Sequence, residues 1–186
     1  MGKSDAVKAD AAARDSSNWK QVLQERMPLY GHRNWVVVAD SAYPAQACDG
    51  IETIVADADQ TAVLERVLAE LRESKHVKPT VYIDQELRFV EEQDAPGISG
   101  YRDRLDNLLE GFTAKVLPHE EIISKLNRAG GTFCVLMIKT NMTIPYTSVF
   151  LEFDCGYWNA EAENRLRTKM KRGIGTKRKG RVRKLE

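Results

Sequence analysis

The sequence predicts an α/β fold, three layers deep, with a mostly parallel sheet and helices on both faces. Two observations carry that prediction. Short runs rich in β-branched residues alternate with segments whose apolar residues recur at helical spacing, the pattern of successive strand–helix units. In addition, one run, Trp35 to Ala39, is apolar without interruption, as expected of a strand covered on both faces.

Taken in order, Trp19, Val22, Leu23 and Met27 mark a short first helix that Pro28 ends or kinks. The buried strand WVVVA follows, and Asp40-Ser41-Ala42-Tyr43-Pro44 turns away from it. Ile51 to Val55 is a second strand. Asp59 is placed to cap a helix that carries Val63, Leu64, Val67, Leu68 and Leu71 on one stripe. Pro79 opens a third strand, TVYID, and Glu91 to Gly97 reads as a loop. Ser99 is the expected cap of a helix with Tyr101, Leu105, Leu108 and Leu109, stopped by Gly111. A strand over Phe112 to Leu117 leads into Pro118-His119-Glu120-Glu121, acids at the positive end of a helix that stops near Gly130-Gly131. TFCVLMIK and VFLEF are the last strands, separated by Thr140 to Ser148.

The chain of 186 residues is divided by composition into a polar start (1–18), one α/β domain (19–157) and a basic tail (158–186). Residues 1–163 hold 17 Lys and Arg against 26 Asp and Glu, a net −9, and residues 164–186 hold 11 against one, a net +10. Such a charge run reads as a solvated extension. It has no aromatic residue for stacking on bases, so any nucleic-acid contact there would be electrostatic. The start has no apolar core of a secretory signal, and no run approaches the roughly 18 apolar residues of a membrane span. Cys48, Cys134 and Cys155 form no paired framework; the last two lie in apolar runs, where a thiol behaves as a small hydrophobe. Together these features suggest a cytoplasmic protein.

Several chemistries lack their motifs. There is no GxGxxG, GxxxxGK[ST], HExxH, CxxC or GxSxG, so dinucleotide, P-loop, zinc and serine-hydrolase readings have no support. In sheets of this class, ligands sit beyond the carboxyl ends of the strands. That rule points to Asp40, Asp84, the Pro118-His119 turn and the segment after Lys139. Of the histidines, His76 reads as a solvated loop residue, while His32 and His119 are open between packing or surface roles and function.

Three segments, in order, resemble the ribose pyranase and fucose mutarotase family: Gly31-His32 followed by VVVAD-SAYP; His119 in VLPHEEI, where the pyranase branch has His; and Ile144-Pro145-Tyr146-Thr147-Ser148 before the last strand. The likeness spans roughly residues 20–155. It implies a cofactor-independent, metal-free isomerase that interconverts cyclic forms of a monosaccharide by general acid–base catalysis. By the same resemblance His32 is the catalytic proton donor, and Asp40, His119, Tyr146, Thr147 and Ser148 bind the sugar. The family has Asn where this chain has Ser148, a departure that keeps open a non-catalytic sugar-binding or regulatory protein on the same fold. His32 and Asp40 are eight residues apart, about 26 Å if extended. They can share one sugar only if the chain folds back or if a neighbouring subunit supplies one of them. A homo-oligomer is therefore expected, a decamer among the options, since the family forms rings.

Overall fold

A computed structural model describes residues 18–179. Expectations for the polar start before residue 18, and for the end of the tail after residue 179, lie outside the described residues. The elements are α1 (Trp19–Arg26), β1 (Trp35–Ala39), β2 (Ile51–Val55), α2 (Gln60–Glu73), β3 (Val77–Asp84), α3 (Ile98–Leu108), β4 (Thr113–Leu117), α4 (His119–Gly130), β5 (Val135–Lys139), β6 (Val149–Cys155) and α5 (Ala160–Lys179). The strands form one six-stranded sheet in the order β2-β5-β1-β6-β3-β4. All pairs are parallel except those made by β6, which runs antiparallel between β1 and β3.

Alternation along β1 divides the core. Val36 and Val38 face α1, α2 and α3, packing with Leu23, Leu64, Val67, Ile98 and Tyr101. Trp35, Val37 and Ala39 face α4, with Ile122, Leu126 and Ala129. β1 is therefore buried on both sides over its whole length, and the expected three layers are present.

Local chemistry differs from expectation at four places. Pro79 lies inside β3 rather than at its start. It is accommodated because β4 pairs with β3 only from Thr80 onward, leaving Pro79 one unpaired flank. The cap of α3 is not Ser99: Gly97, at φ 95°, precedes the helix, and the Glu92 carboxylate accepts from the backbone N–H groups of Gly97 (2.5 Å) and Ser99 (3.0 Å). Cys134 is exposed, because it stands just before β5 rather than within it. The basic tail, read as a solvated extension, is helical from Ala160 to Lys179. Asn159 caps it by accepting from Ala162 N at 2.8 Å, and pairs at i,i+4 spacing (Glu161–Arg165, Glu163–Arg167) line its first turns. Its Lys, Arg, Met and Ala residues are strong helix formers, which outweighs the like-charge repulsion.

Elsewhere the sequence signals act as read. Asp59 Oδ1 accepts from Thr61 N (2.8 Å) and Ala62 N (3.3 Å) at the start of α2. Gly50 is required by close approach: a Cβ there would lie 2.2 Å from the Gly130 carbonyl oxygen.

Candidate active site at the carboxyl edge of the sheet

β1 runs directly into Asp40, β3 ends at Asp84, and β6 begins between them just after Ser148. This single edge gathers most of the residues singled out in the sequence. Asp84 is fully buried, and its Oδ2 lies 3.0 Å from Nδ1 of His119, the first residue of α4. The His119 backbone N–H is held by both oxygens of Glu86 (3.1 and 3.0 Å). These contacts fix the ring and leave Nε2 without a partner among the described residues. Oδ1 of Asp84 is buried and unpartnered. Burial pushes the Asp84 carboxyl up to about 6; the hydrogen bond from His119 opposes the shift, while the nearby charges of Glu86 and Asp40 add to it.

Tyr146 completes this side. It sits at φ 59°, in the left-handed region, and its ring meets the His119 ring edge to face at 5.7 Å. It is 38% exposed. Tyr43 lies near Asp84 and Asp40. Its phenol is buried and raised above its ordinary range by desolvation first, then by the carboxylates of Asp84 and Asp40.

Asp40, Thr147 and Ser148 form the supporting layer. Ser148 donates its hydroxyl to Asp40 Oδ2 at 2.7 Å and accepts from Asp40 N at 3.1 Å. Asp40 Oδ1 also accepts from Ala42 N at 3.0 Å. Ser148 and Thr147 are both buried, and the Thr147 hydroxyl donates to the Ile144 carbonyl at 2.7 Å. The two hydroxyls are therefore engaged within the protein. The Thr147 carbonyl in turn accepts from the Tyr101 hydroxyl (2.6 Å) and from the Gln60 side-chain amide. The other end of Gln60 receives Thr140 Oγ1 at 3.1 Å. This buried polar web fixes the turn that presents Tyr146, and every group in it has a partner.

His32 is elsewhere. It lies before β1, at the opposite end of the strand from Asp40, and the backbone does not fold back to join them. Its Nδ1 lies 3.0 Å from Asp154 Oδ1, past the far end of β6's pairing with β1, and its ring is half exposed. It borders a separate cleft of about 480 Å³ with Arg33, Trp35, Lys125, Arg128, Phe133 and Glu152. His76, read as a solvated loop residue, is exposed but tethers its neighbours: Nε2 lies 3.0 Å from the Tyr30 carbonyl and 3.2 Å from that of Met27.

The strand-end rule pointed to Asp84, but no sequence signal marked it as His119's partner, because the two meet only when α4 docks on β3. Gln60, Tyr101 and Glu86 carried no signal beyond ordinary helix or loop positions. Among the described residues no three His, Cys, Asp or Glu side chains stand together as a metal-ligand group, and no helix is long and apolar enough to cross a membrane.

No family model matches the chain, and no curated protein matches it by sequence. Solved structures do. RbsD of Bacillus subtilis, determined in complex with D-ribose, is 21% identical over 74% of this chain and 93% of its own, with a TM-score of 0.50. The fucose mutarotase of Streptococcus pneumoniae in complex with L-fucose is 21% identical over 71% of this chain and 87% of its own, at TM-score 0.45. FucU of Bifidobacterium longum is 16% identical over 70% and 90%, at TM-score 0.47. Over the 74% of its length that is matched, the chain thus has the fold of RbsD, the fold that its three resembling segments imply.

Proposed function

We propose that this protein interconverts cyclic forms of a monosaccharide, as a mutarotase or pyranase does, by general acid–base catalysis at the carboxyl edge of its sheet. One observation carries the reading: a buried carboxyl, Asp84, bonded to His119 beside Tyr146 and Asp40. Opening a cyclic hemiacetal requires removal of the anomeric hydroxyl proton and delivery of a proton to the ring oxygen as the bond from C1 to that oxygen breaks. Rotation and reclosure reverse the transfers. Groups titrating near neutrality suit both, and Asp84, at about 6, is such a group.

In this reading His119 faces the sugar through Nε2, with Asp84 fixing its ring. Tyr146 packs against the sugar ring and Asp40 accepts from its hydroxyls. Thr147 and Ser148 hold Tyr146 and Asp40 in place. His32 is the second acid–base group and reaches the sugar from a neighbouring subunit, since within one chain it stands at the other end of β1. The protein is accordingly a homo-oligomer with composite sites, working in the cytoplasm without metal or cofactor. Likeness of fold to RbsD, whose structure holds D-ribose, supports a monosaccharide ligand.

Saturation-transfer NMR over a panel of reducing sugars tests the reading. The expected result is enzyme-dependent exchange between anomers of at least one sugar. A second reading, sugar binding without catalysis, draws on the Ser148 hydroxyl being engaged with Asp40. Saturable binding with no faster exchange for any sugar would favour it over the first.

A further inference from the structure

The cleft beside His32 carries a charge pattern that a neutral sugar does not need. Arg33, Lys125 and Arg128 line it, and none of them makes an ion pair with a described carboxylate. The one acid in its lining, Glu152, accepts the Tyr82 hydroxyl at 2.6 Å. Arg33 is held at φ 75°, its backbone N–H donating to the Phe153 carbonyl at 2.8 Å and its guanidinium lying 5.6 Å from the centre of the Phe133 ring. Arg128 is exposed and has no hydrogen bond, ion pair or ring partner among the described residues, and Lys125 rests over the Tyr82 ring at 5.5 Å. Three unpaired cations thus share one lining with a single acid, and although Glu120 and Glu121 adjoin Lys125 and Arg128 on the other side, the excess of positive charge in the cleft is one that an anion relieves.

Arg33 Nε also donates to His32 Nε2 at 3.2 Å, while Nδ1 of the same ring faces Asp154. His32 Nε2, the ring nitrogen not facing Asp154, is therefore covered by the Arg33 guanidinium. An anion that draws the guanidinium to itself uncovers that nitrogen.

We propose that the substrate is a phosphorylated monosaccharide, an aldose carrying a terminal phosphate monoester, with the phosphate bound by Arg33, Lys125 and Arg128 in the cleft beside His32. This rests on the acid–base reading above. The cleft's size, about 480 Å³, suits a phosphate with part of a sugar. Arginine provides the forked donors that a phosphate takes in pairs, and the binding is sensitive to ionic strength because the cleft is open to solvent.

The test uses matched pairs, a free aldose and its own terminal phosphate, with the full-length protein. ³¹P NMR and calorimetry read binding, and saturation transfer reads exchange. The phosphate ester is expected to bind at least about tenfold tighter than its parent, the effect of one or more charge-assisted hydrogen bonds. Inorganic phosphate should compete with the ester and leave the affinity for the free aldose unchanged. Arg128→Gln, an exposed position on α4, should remove most of the preference without changing affinity for the free aldose; Lys125→Gln should act in the same direction. Equal affinities for ester and parent, or an unchanged preference in both variants, overturns the proposal. The two failures are distinct: exchange on free aldoses with no preference for esters sinks only the phosphate site, whereas no exchange on any member of any pair sinks the acid–base reading itself.

Discussion

Replacing Asp84 with Asn should make the protein more stable and less active at once. Asp84 is fully buried and its carboxyl is raised from the ordinary 3.8 to about 6. A group whose folded-state pKa lies above its unfolded value contributes stability that is complete below the unfolded pKa. That contribution is lost as pH rises through the folded pKa. Above pH 6 the wild type therefore holds a carboxylate the fold disfavours. The shift of about two units corresponds to roughly 3 kcal/mol. In Asp84→Asn the amide oxygen still accepts from His119 Nδ1, and the NH₂ takes the unpartnered Oδ1 position, where a protonated carboxyl would place its hydroxyl. The comparison is neutral group for neutral group, so the variant should gain up to about 3 kcal/mol at pH 8, or roughly 6–12 °C in Tm for a chain of this size. The gain should shrink as pH falls from 6 toward 4. Thermal unfolding of both proteins at several pH values measures it. A variant less stable than wild type at pH 8, or a gap that does not change between pH 5 and pH 8, refutes the reasoning. Sugar exchange should meanwhile fall at least about tenfold, because His119 loses a charged partner.

Further outcomes follow from the same geometry. Ser148→Ala leaves Asp40 Oδ2 without its hydroxyl donor and should cost about 1–3 kcal/mol in denaturant unfolding, with weaker sugar binding as Asp40 loosens. Gly50→Ala forces a Cβ against the Gly130 carbonyl and should destabilise by more than 1 kcal/mol; a change within about 0.5 kcal/mol would show that the β2–α4 corner yields. Ending the chain at Asn159 removes α5, none of whose described residues is buried. It should leave Tm and the size-exclusion elution position, corrected for lost mass, unchanged; a shift to monomer would make α5 an assembly element. Mixing subunits of His32→Ala with subunits of His119→Ala, denatured and refolded together, should restore part of the activity that each lacks alone. No recovery in mixed oligomers would place His32 outside the site.

The layers of the fold were legible because hydrophobic period is a local property. Val36 and Val38 face one way and Trp35, Val37 and Ala39 the other, as a strand inside three layers must. Strand direction is not local, so nothing in VFLEF announced that β6 runs against its neighbours. The same division holds at the site. His119, Tyr146 and Asp40 could be nominated from short segments and their order. What each does depends on distant partners: Ser148 reaches Asp40 across 108 positions, Asp84 reaches His119 across 35, and Gln60 reaches Thr147 across 87. Ser148 is the instructive case. As a residue type it reads as a sugar contact with one group fewer than Asn; in the fold its single proton is already given to Asp40. The capping of α3 makes the point on a smaller scale: Ser99 is a plausible cap by type, yet a glutamate seven positions earlier takes the backbone groups.

The most direct measurement is the anomer-exchange rate of one sugar, read by saturation transfer on wild type, His119→Ala and His32→Ala, with binding titrated on the same samples. Exchange by the wild type is expected to fall by about 10²-fold or more in both variants, with the fold intact and binding weakened no more than about tenfold. Wild-type exchange indistinguishable from buffer for every sugar that binds, or undiminished exchange in both variants, would contradict it.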